Sequence, residues 1–342
     1  MWFLRFALTP RKAIITMKYA FIITLLILTG AISARAASLD VCATTPDLGA
    51  LAAEVGGEYV RVTVFAKGRE DPHFVEARPS FIRDLHRADL FILTGMELEI
   101  GWAPALINKA RNRDVLPGGR GYLDASRAIV PFEVPTATFD RSMGDVHAQG
   151  NPHYMLDPVN GYRVAQLIRD KLCQLDPAHS DGYHANCDDF ARRLAAALCG
   201  EGTDAAAKLE RLARGGSVVA TGGWLAQTQS IRGAKVVGDH NAWVYFTERF
   251  GLDTIGFMEP IPGQPPTMRH LRSLVERMNA QGVHGILSIV YFRPEHARFL
   301  AEHTDAGVID LAHQVGARPG TDSYIDMIDH NVRAAAALGG GS

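Results

Sequence analysis

The chain has 342 residues, of which 47% are hydrophobic and 21% charged; at about 150 residues per domain that length suggests two compact units. These proportions exclude disorder, collagen and a long coiled coil as the general plan. Lys and Arg number 35 against 37 Asp and Glu, but five of the bases fall in the first 36 residues, which hold no acid. The remainder therefore carries 30 against 37, a formal charge of −7, and lacks the basic footprint of a nucleic-acid binder.

In chain order, the first element is an address. Lys18 precedes an uncharged run from Tyr19 to Gly30, and Ala34-Arg35-Ala36 offers a small-residue cleavage site. This order predicts a secretory signal peptide over residues 1–36, cut after Ala36, with Met17 as an alternative start. The run is shorter than the roughly 20 apolar residues that span a bilayer, which disfavours a membrane anchor. No Cys stands at the cut, which disfavours a lipoprotein. The expected mature protein is soluble and periplasmic.

Strands are predicted at Leu39–Ala43, Tyr59–Phe65, Leu90–Leu93, Ala234–Val237, Thr254–Phe257, Gly285–Val290 and Gly307–Asp310. Helical patterns lie between them, among them Asp47–Val55, Pro79–Ala88, Val159–Leu175, Ala242–Phe250, Met268–Gln281 and Pro294–Glu302. Such alternation reads as βαβ units with mainly parallel sheets, hence an α/β fold. It occurs in two blocks, giving an N-terminal lobe over 37–176 and a C-terminal lobe over 232–342. Residues 177–231 between them read as a long connecting helix, apolar at Phe190, Leu194, Ala197 and Leu198, followed by a Gly-interrupted insertion. Gly200-x-Gly202-x-x-Ala205 superficially matches a dinucleotide fingerprint, but it follows a helix where the motif requires a strand, and the match is discarded.

The four cysteines are Cys42, Cys173, Cys187 and Cys199, and an oxidising compartment permits disulfides. Cys187 and Cys199 share one predicted helix, about 18 Å apart, too far to bridge. Cys173 and Cys187 flank a turn at Asp176-Pro177 and form the favoured pair, the alternative being that these thiols are structural or free. Their spacing fits no zinc ribbon.

Four of the thirteen histidines have a distinctive setting. His73 follows the second strand, His240 follows Ala234–Val237, and His313 follows Gly307–Asp310. His153 lies on a loop leading into a helix. Ligands of open α/β sheets bind beyond the carboxyl ends of strands, and two of these histidines come from each block. A cleft between lobes is therefore expected to collect them as zinc ligands, with four nitrogens closing a tetrahedral shell. Pro72 and Pro152 stiffen the loops that aim His73 and His153. Asp71, Glu76 and Asp157 are candidate acceptors for the far ring nitrogens. His147 is a candidate for metal capture at the cleft mouth. Any one of these histidines alone reads as an ordinary loop or core residue; the reading rests on the set.

Six stretches in order then carry a resemblance. They are Thr44-Thr45-Pro46-Asp47; Asp71-Pro72-His73 with Glu76, Pro79 and Ser80; and Gly95 through Trp102. The others are Asn151-Pro152-His153 through Asp157-Pro158; His240, Trp243, Tyr245 and Phe246 with Arg249-Phe250-Gly251-Leu252; and Asp322-Ser323-Tyr324 with Asp326-Met327 and His330-Asn331. Over nearly the whole mature chain the sequence resembles the cluster A-I zinc/manganese solute-binding proteins of bacterial ABC transporters. The resemblance implies a bilobal receptor, not an enzyme, with one metal in the interlobe cleft, delivered to an inner-membrane ABC permease, and acting as a monomer. It carries His73, His153 and His240 over as ligands. A His rather than a Glu at the third position goes with zinc in that family, as do nitrogen donors in general, so Zn2+ is expected ahead of Mn2+. The family's fourth ligand is an Asp about twelve residues before the signature Tyr. Here that position is Ala312, with His313 eleven and Asp310 fourteen residues before Tyr324. His313 is the expected fourth ligand and Asp310 the alternative. Competing readings are a secreted zinc hydrolase, using three His, a metal-bound water and Glu76 or Asp310 as base, and an organic-solute receptor of the same build.

Overall fold

The computed structural model describes residues 38–135, 147–261 and 263–340. The expected signal peptide lies outside the described residues. Among the described residues no helix is long and apolar enough to cross a membrane.

Two four-stranded parallel sheets organise the fold, one in each lobe. The first has the order β2-β1-β3-β4, from β1 (Leu39–Ala43), β2 (Val60–Val64), β3 (Leu90–Leu93) and β4 (Tyr122–Asp124). The second has the order β6-β5-β7-β8, from β5 (Lys235–Gly238), β6 (Asp253–Phe257), β7 (Gly285–Ser288) and β8 (Gly307–Asp310). All pairings are parallel. In each sheet the chain runs from a central strand to one side and then crosses to the other. That reversal opens a crevice at the carboxyl ends of the strands, and the sequence expectation of an α/β fold in two lobes is met. β4 was not anticipated, since three residues are too few to show a pattern.

In the first lobe, helices α1 (Pro46–Gly56), α2 (Pro79–Arg87) and α3 (Ala103–Ala110) cover the sheet. α1 starts with Pro at its first position and buries Leu48, Leu51, Ala52 and Val55 on one face. Each large apolar side chain so buried contributes roughly 1.5–3 kcal/mol. Gly49 lets α1 lie against β2, because a Cβ there would meet Val64 Cγ2 at 2.3 Å.

Behind the lobes run α4 (Pro158–Leu175) and α5 (Ser180–Cys199). α5, at 20 residues, is about 30 Å long. Along it Asn186 Nδ2 donates to Val55 O of α1 (3.1 Å), and two turns further Arg193 pairs with Glu54. At its end Gly200 abuts the backbone of Gly222, just before α7 (Gly223–Gln227). Trp224 of α7 in turn donates to Asp329 (3.0 Å) on α11 (Tyr324–Ala336). α5 is thus the long helix that ties the first lobe's α1 to elements flanking the second sheet. α6 (Ala205–Ala213) folds the Gly-interrupted segment back onto α4, where Arg163 Nη2 donates to Ala213 O (2.6 Å). The second sheet is covered by α8 (Val244–Phe250), α9 (Met268–Gln281), α10 (Pro294–Glu302) and α11.

All four cysteines are free thiols, which corrects the expected Cys173–Cys187 bridge. Cys173 lies two residues before the end of α4 and Cys187 seven residues into α5. In an antiparallel hairpin that is an offset of about five residues, or roughly 7.5 Å along the axis. Added to a helix separation of 8–10 Å, it puts the pair out of disulfide range.

Candidate metal centre

His73 occupies a 3-10 turn, Pro72–Phe74, beyond β2. Asp71 caps that turn by accepting from His73 N (3.0 Å), and the same carboxylate oxygen takes His73 Nδ1 at 2.7 Å. The ring is therefore held in one tautomer, with Nε2 buried and without a partner. Asp71 is kept below the usual carboxylate range: burial alone would raise it, but the bonds and charge of His73 outweigh that. The segment Gly95 to Trp102 buttresses the same turn. Glu99 is buried, accepting from Thr44 Oγ1 (2.6 Å) and Thr94 N (2.7 Å), and Trp102 Nε1 donates to Pro72 O (3.0 Å).

His153 precedes the 3-10 turn Tyr154–Leu156, and its N–H donates to Asn151 Oδ1 (3.0 Å). Tyr324 of α11 donates to Met155 O (2.7 Å) of that turn, which explains why the C-terminal signature matters at a distance. His240 lies two residues beyond β5 and is buried. These three imidazoles, from both lobes, converge. One nitrogen of each lies within 4.8 Å of the others, and the ring centroids are 5.2, 5.5 and 5.9 Å apart. His73 Nε2, His153 Nε2 and His240 Nδ1 are all buried without a hydrogen-bond partner. Unpartnered buried nitrogens are costly unless something else engages them. Burial, and then repulsion from His73 and His240, holds His153 well below its ordinary value, so its ring is neutral at neutral pH.

The other expected residues divide. His147 stacks on His73 (centroids 5.4 Å apart, planes at 27°), and its Nε2 is also buried and unpartnered. Burial, then the charges of His73 and His240, lower it to about 3. His313 is buried beside the cluster and is not one of the group of three; its Nε2 donates to Glu70 O (3.2 Å), its Nδ1 is buried and unpartnered, and its ring packs edge-on to Tyr291. Asp310 is turned away, its side chain 67% exposed and paired with Arg318 at 2.8 Å. Glu76 does not reach the cluster either, being 83% exposed and 3.8 Å from Arg78. Asp157 serves another purpose. It caps α4 through Val159 N (2.9 Å) and forms a two-bond pair with Arg249 at 2.8 and 2.7 Å. Of the three carboxylates expected around the rings, only Asp71 bonds one.

A family profile described as the periplasmic component A of zinc-uptake complexes, ZnuA, matches residues 41–214 and 219–337. The chain belongs to this family. Among its relatives is the manganese-binding lipoprotein MntA of Halalkalibacterium halodurans, 24% identical over 297 residues, covering 83% of each chain. The high-affinity zinc uptake protein ZnuA of Yersinia pestis is 23% identical, covering 85% of this chain and 88% of its own. A crystal structure of ZnuA superimposes with a TM-score of 0.65 over 89% of this chain and 98% of that one at 23% identity, a likeness of fold. As a member of the ZnuA family the chain is a metal-binding solute receptor of an ABC-type uptake system.

Two features of the site were not foreseen. Glu259, two residues past β6, places Oε2 3.6 Å from His240 Nδ1. The strand-end rule that selected the histidines would have found it. It joins Asp71, His73, His240, Phe292 and His296 around a cavity of about 240 Å³ between the lobes. The second feature is the side chain of Asn151, whose partners lie far off in sequence.

Proposed function

We propose that this receptor captures Zn2+ in the periplasm and delivers it to an inner-membrane ABC permease, with His73, His153 and His240 as ligands. The observation that carries the reading is the convergence of three imidazoles from two lobes, with no carboxylate among them. Nitrogen donors suit zinc, whereas manganese prefers carboxylate and water oxygens. One relative is named for manganese, and Asp71 and Glu259 line the cavity. Asp71, however, is engaged by His73, where it fixes the tautomer and raises the basicity of the ligand. His147, which stacks on His73 and keeps a buried, unpartnered Nε2, is the fourth ligand in this proposal; His313, whose Nε2 is bonded to Glu70 O but whose Nδ1 is buried and unpartnered, is the alternative. Four protein ligands leave no open position for a reactive water, which argues against the hydrolase reading.

Titration of the stripped protein with zinc tests this. His73→Ala, His153→Ala and His240→Ala should each weaken binding by about 100-fold or more, and Asp71→Asn by roughly 10–100-fold. His147→Ala should cost about tenfold, with His313→Ala and Asp310→Ala costing less than about threefold. Parent-like affinity in both His73→Ala and His240→Ala would overturn the assignment.

A further inference from the structure

The loops that carry His153 and His240 belong to different lobes, yet one side-chain amide touches both. Asn151 is only 7% exposed. Its Oδ1 accepts from His153 N (3.0 Å), while its Nδ2 donates to Asn241 O (2.7 Å) and to Glu133 Oε2 (3.0 Å). The same Glu133 oxygen accepts a further bond from Asn241 Nδ2 (2.7 Å). Tyr245 closes the junction from the second lobe. Its hydroxyl donates to Asn151 O (2.9 Å) and accepts from Phe132 N (2.9 Å), and its ring stacks on Phe132 at 4.7 Å. Glu133 itself sits at φ +56°. A residue other than glycine keeps that left-handed backbone only where its surroundings over-determine it, and such strain gathers at functional sites.

We infer that Asn151 and Glu133 are positioning residues, a clasp that sets the spacing of the His153 and His240 rings across the cleft and slows release of the metal. The inference rests on the reading of those rings as zinc ligands. The amide is suited to the task because the position needs one acceptor, for His153 N–H, and two donors, for Asn241 O and Glu133. An Asp of the same shape supplies the acceptor but neither donor, and it faces the Glu133 carboxylate with a like charge. Bonds to the ionised Glu133 are charge-assisted and therefore among the stronger of their kind. Parting the lobes to free the ion breaks bonds of Asn241 and Tyr245 to the first lobe, so the clasp acts on dissociation more than on capture.

The test is stopped-flow release of zinc from loaded protein into excess chelator, with association measured separately. The parent is compared with Asn151→Asp, with Glu133→Gln, and with His240→Ala as the control for the site itself. Asn151→Asp should release zinc about tenfold faster or more, the lower end of the range for residues that support metal ligands, with association little changed. Glu133→Gln keeps an amide oxygen that accepts from Asn151 and Asn241 but loses the charge assistance, so its release should fall between those of the parent and Asn151→Asp. A merely structural role would lower the unfolding temperature of the metal-free protein without speeding release. Release from Asn151→Asp at the parent rate, or release from Glu133→Gln faster than from Asn151→Asp, would overturn the clasp. If His240→Ala also held zinc like the parent, the ligand assignment would fall first and the clasp with it.

Discussion

At Asp47 the fold disfavours the charged form of a carboxyl group. It is buried, accepts from Val315 N (2.7 Å), and burial pushes its pKa from 3.8 up to about 7, the backbone bond opposing only in part. The titratable groups that feel its charge are the phenols of Tyr154 and Tyr324, which burial keeps neutral well beyond this range. An acid whose folded pKa is raised contributes stability fully below its unfolded value and loses it as pH climbs to the folded one. Between pH 4 and 7 the metal-free parent should therefore lose stability relative to Asp47→Asn, by at most about 1.4 kcal/mol per pH unit. Urea melts at several pH values measure this, and parallel pH profiles would show that folding does not raise the pKa of Asp47. At this scale the sequence was legible where a residue's role follows from its place in the chain. His73 and His240 were readable as residues beyond strand ends. Asn151 was not, since its partners at Glu133 and Asn241 lie 18 and 90 residues away. Glu76 misled because motif spacing does not reveal where a loop side chain points, and this one points to solvent.

Among elements, the junction between α4 and α8 holds a largely buried ion pair. Asp157 caps α4 and takes both nitrogens of Arg249 from α8, with side chains 8% and 19% exposed. Removing one partner of such a pair leaves a charge buried alone. Arg249→Leu should destabilise the metal-free protein by about 3 kcal/mol in urea unfolding. A loss below about 1 kcal/mol would mean the pair behaves as a solvated one. The inner strands β3 and β7 were legible because both faces of a parallel sheet are covered, so each reads as a short apolar run. β4 escaped because it pairs only three residues with β3. The thiol pairing was misread because a turn between two helices fixes their order in the chain but not the offset of two positions along them.

Across the whole molecule, two sheets share the same strand order, and residues beyond the carboxyl ends of their strands line one cleft. Contacts from the second lobe reach the loop that carries His73. Gln314 Nε2 donates to Lys67 O (2.9 Å) and Glu70 O (3.0 Å), and Val315 N donates to Asp47. The bilobal plan was readable from alternating elements in two blocks, whereas these crossings were not, because they depend on how the lobes meet. Metal capture depends on the convergence of three rings from both lobes. The most direct test is a crystal structure of the zinc-loaded protein, with anomalous diffraction recorded on both sides of the zinc edge. The account predicts one strong peak bounded by nitrogens of His73, His153 and His240 at about 2.0–2.1 Å. A peak elsewhere, or one at the cleft with any of those three rings turned away from it, would contradict it.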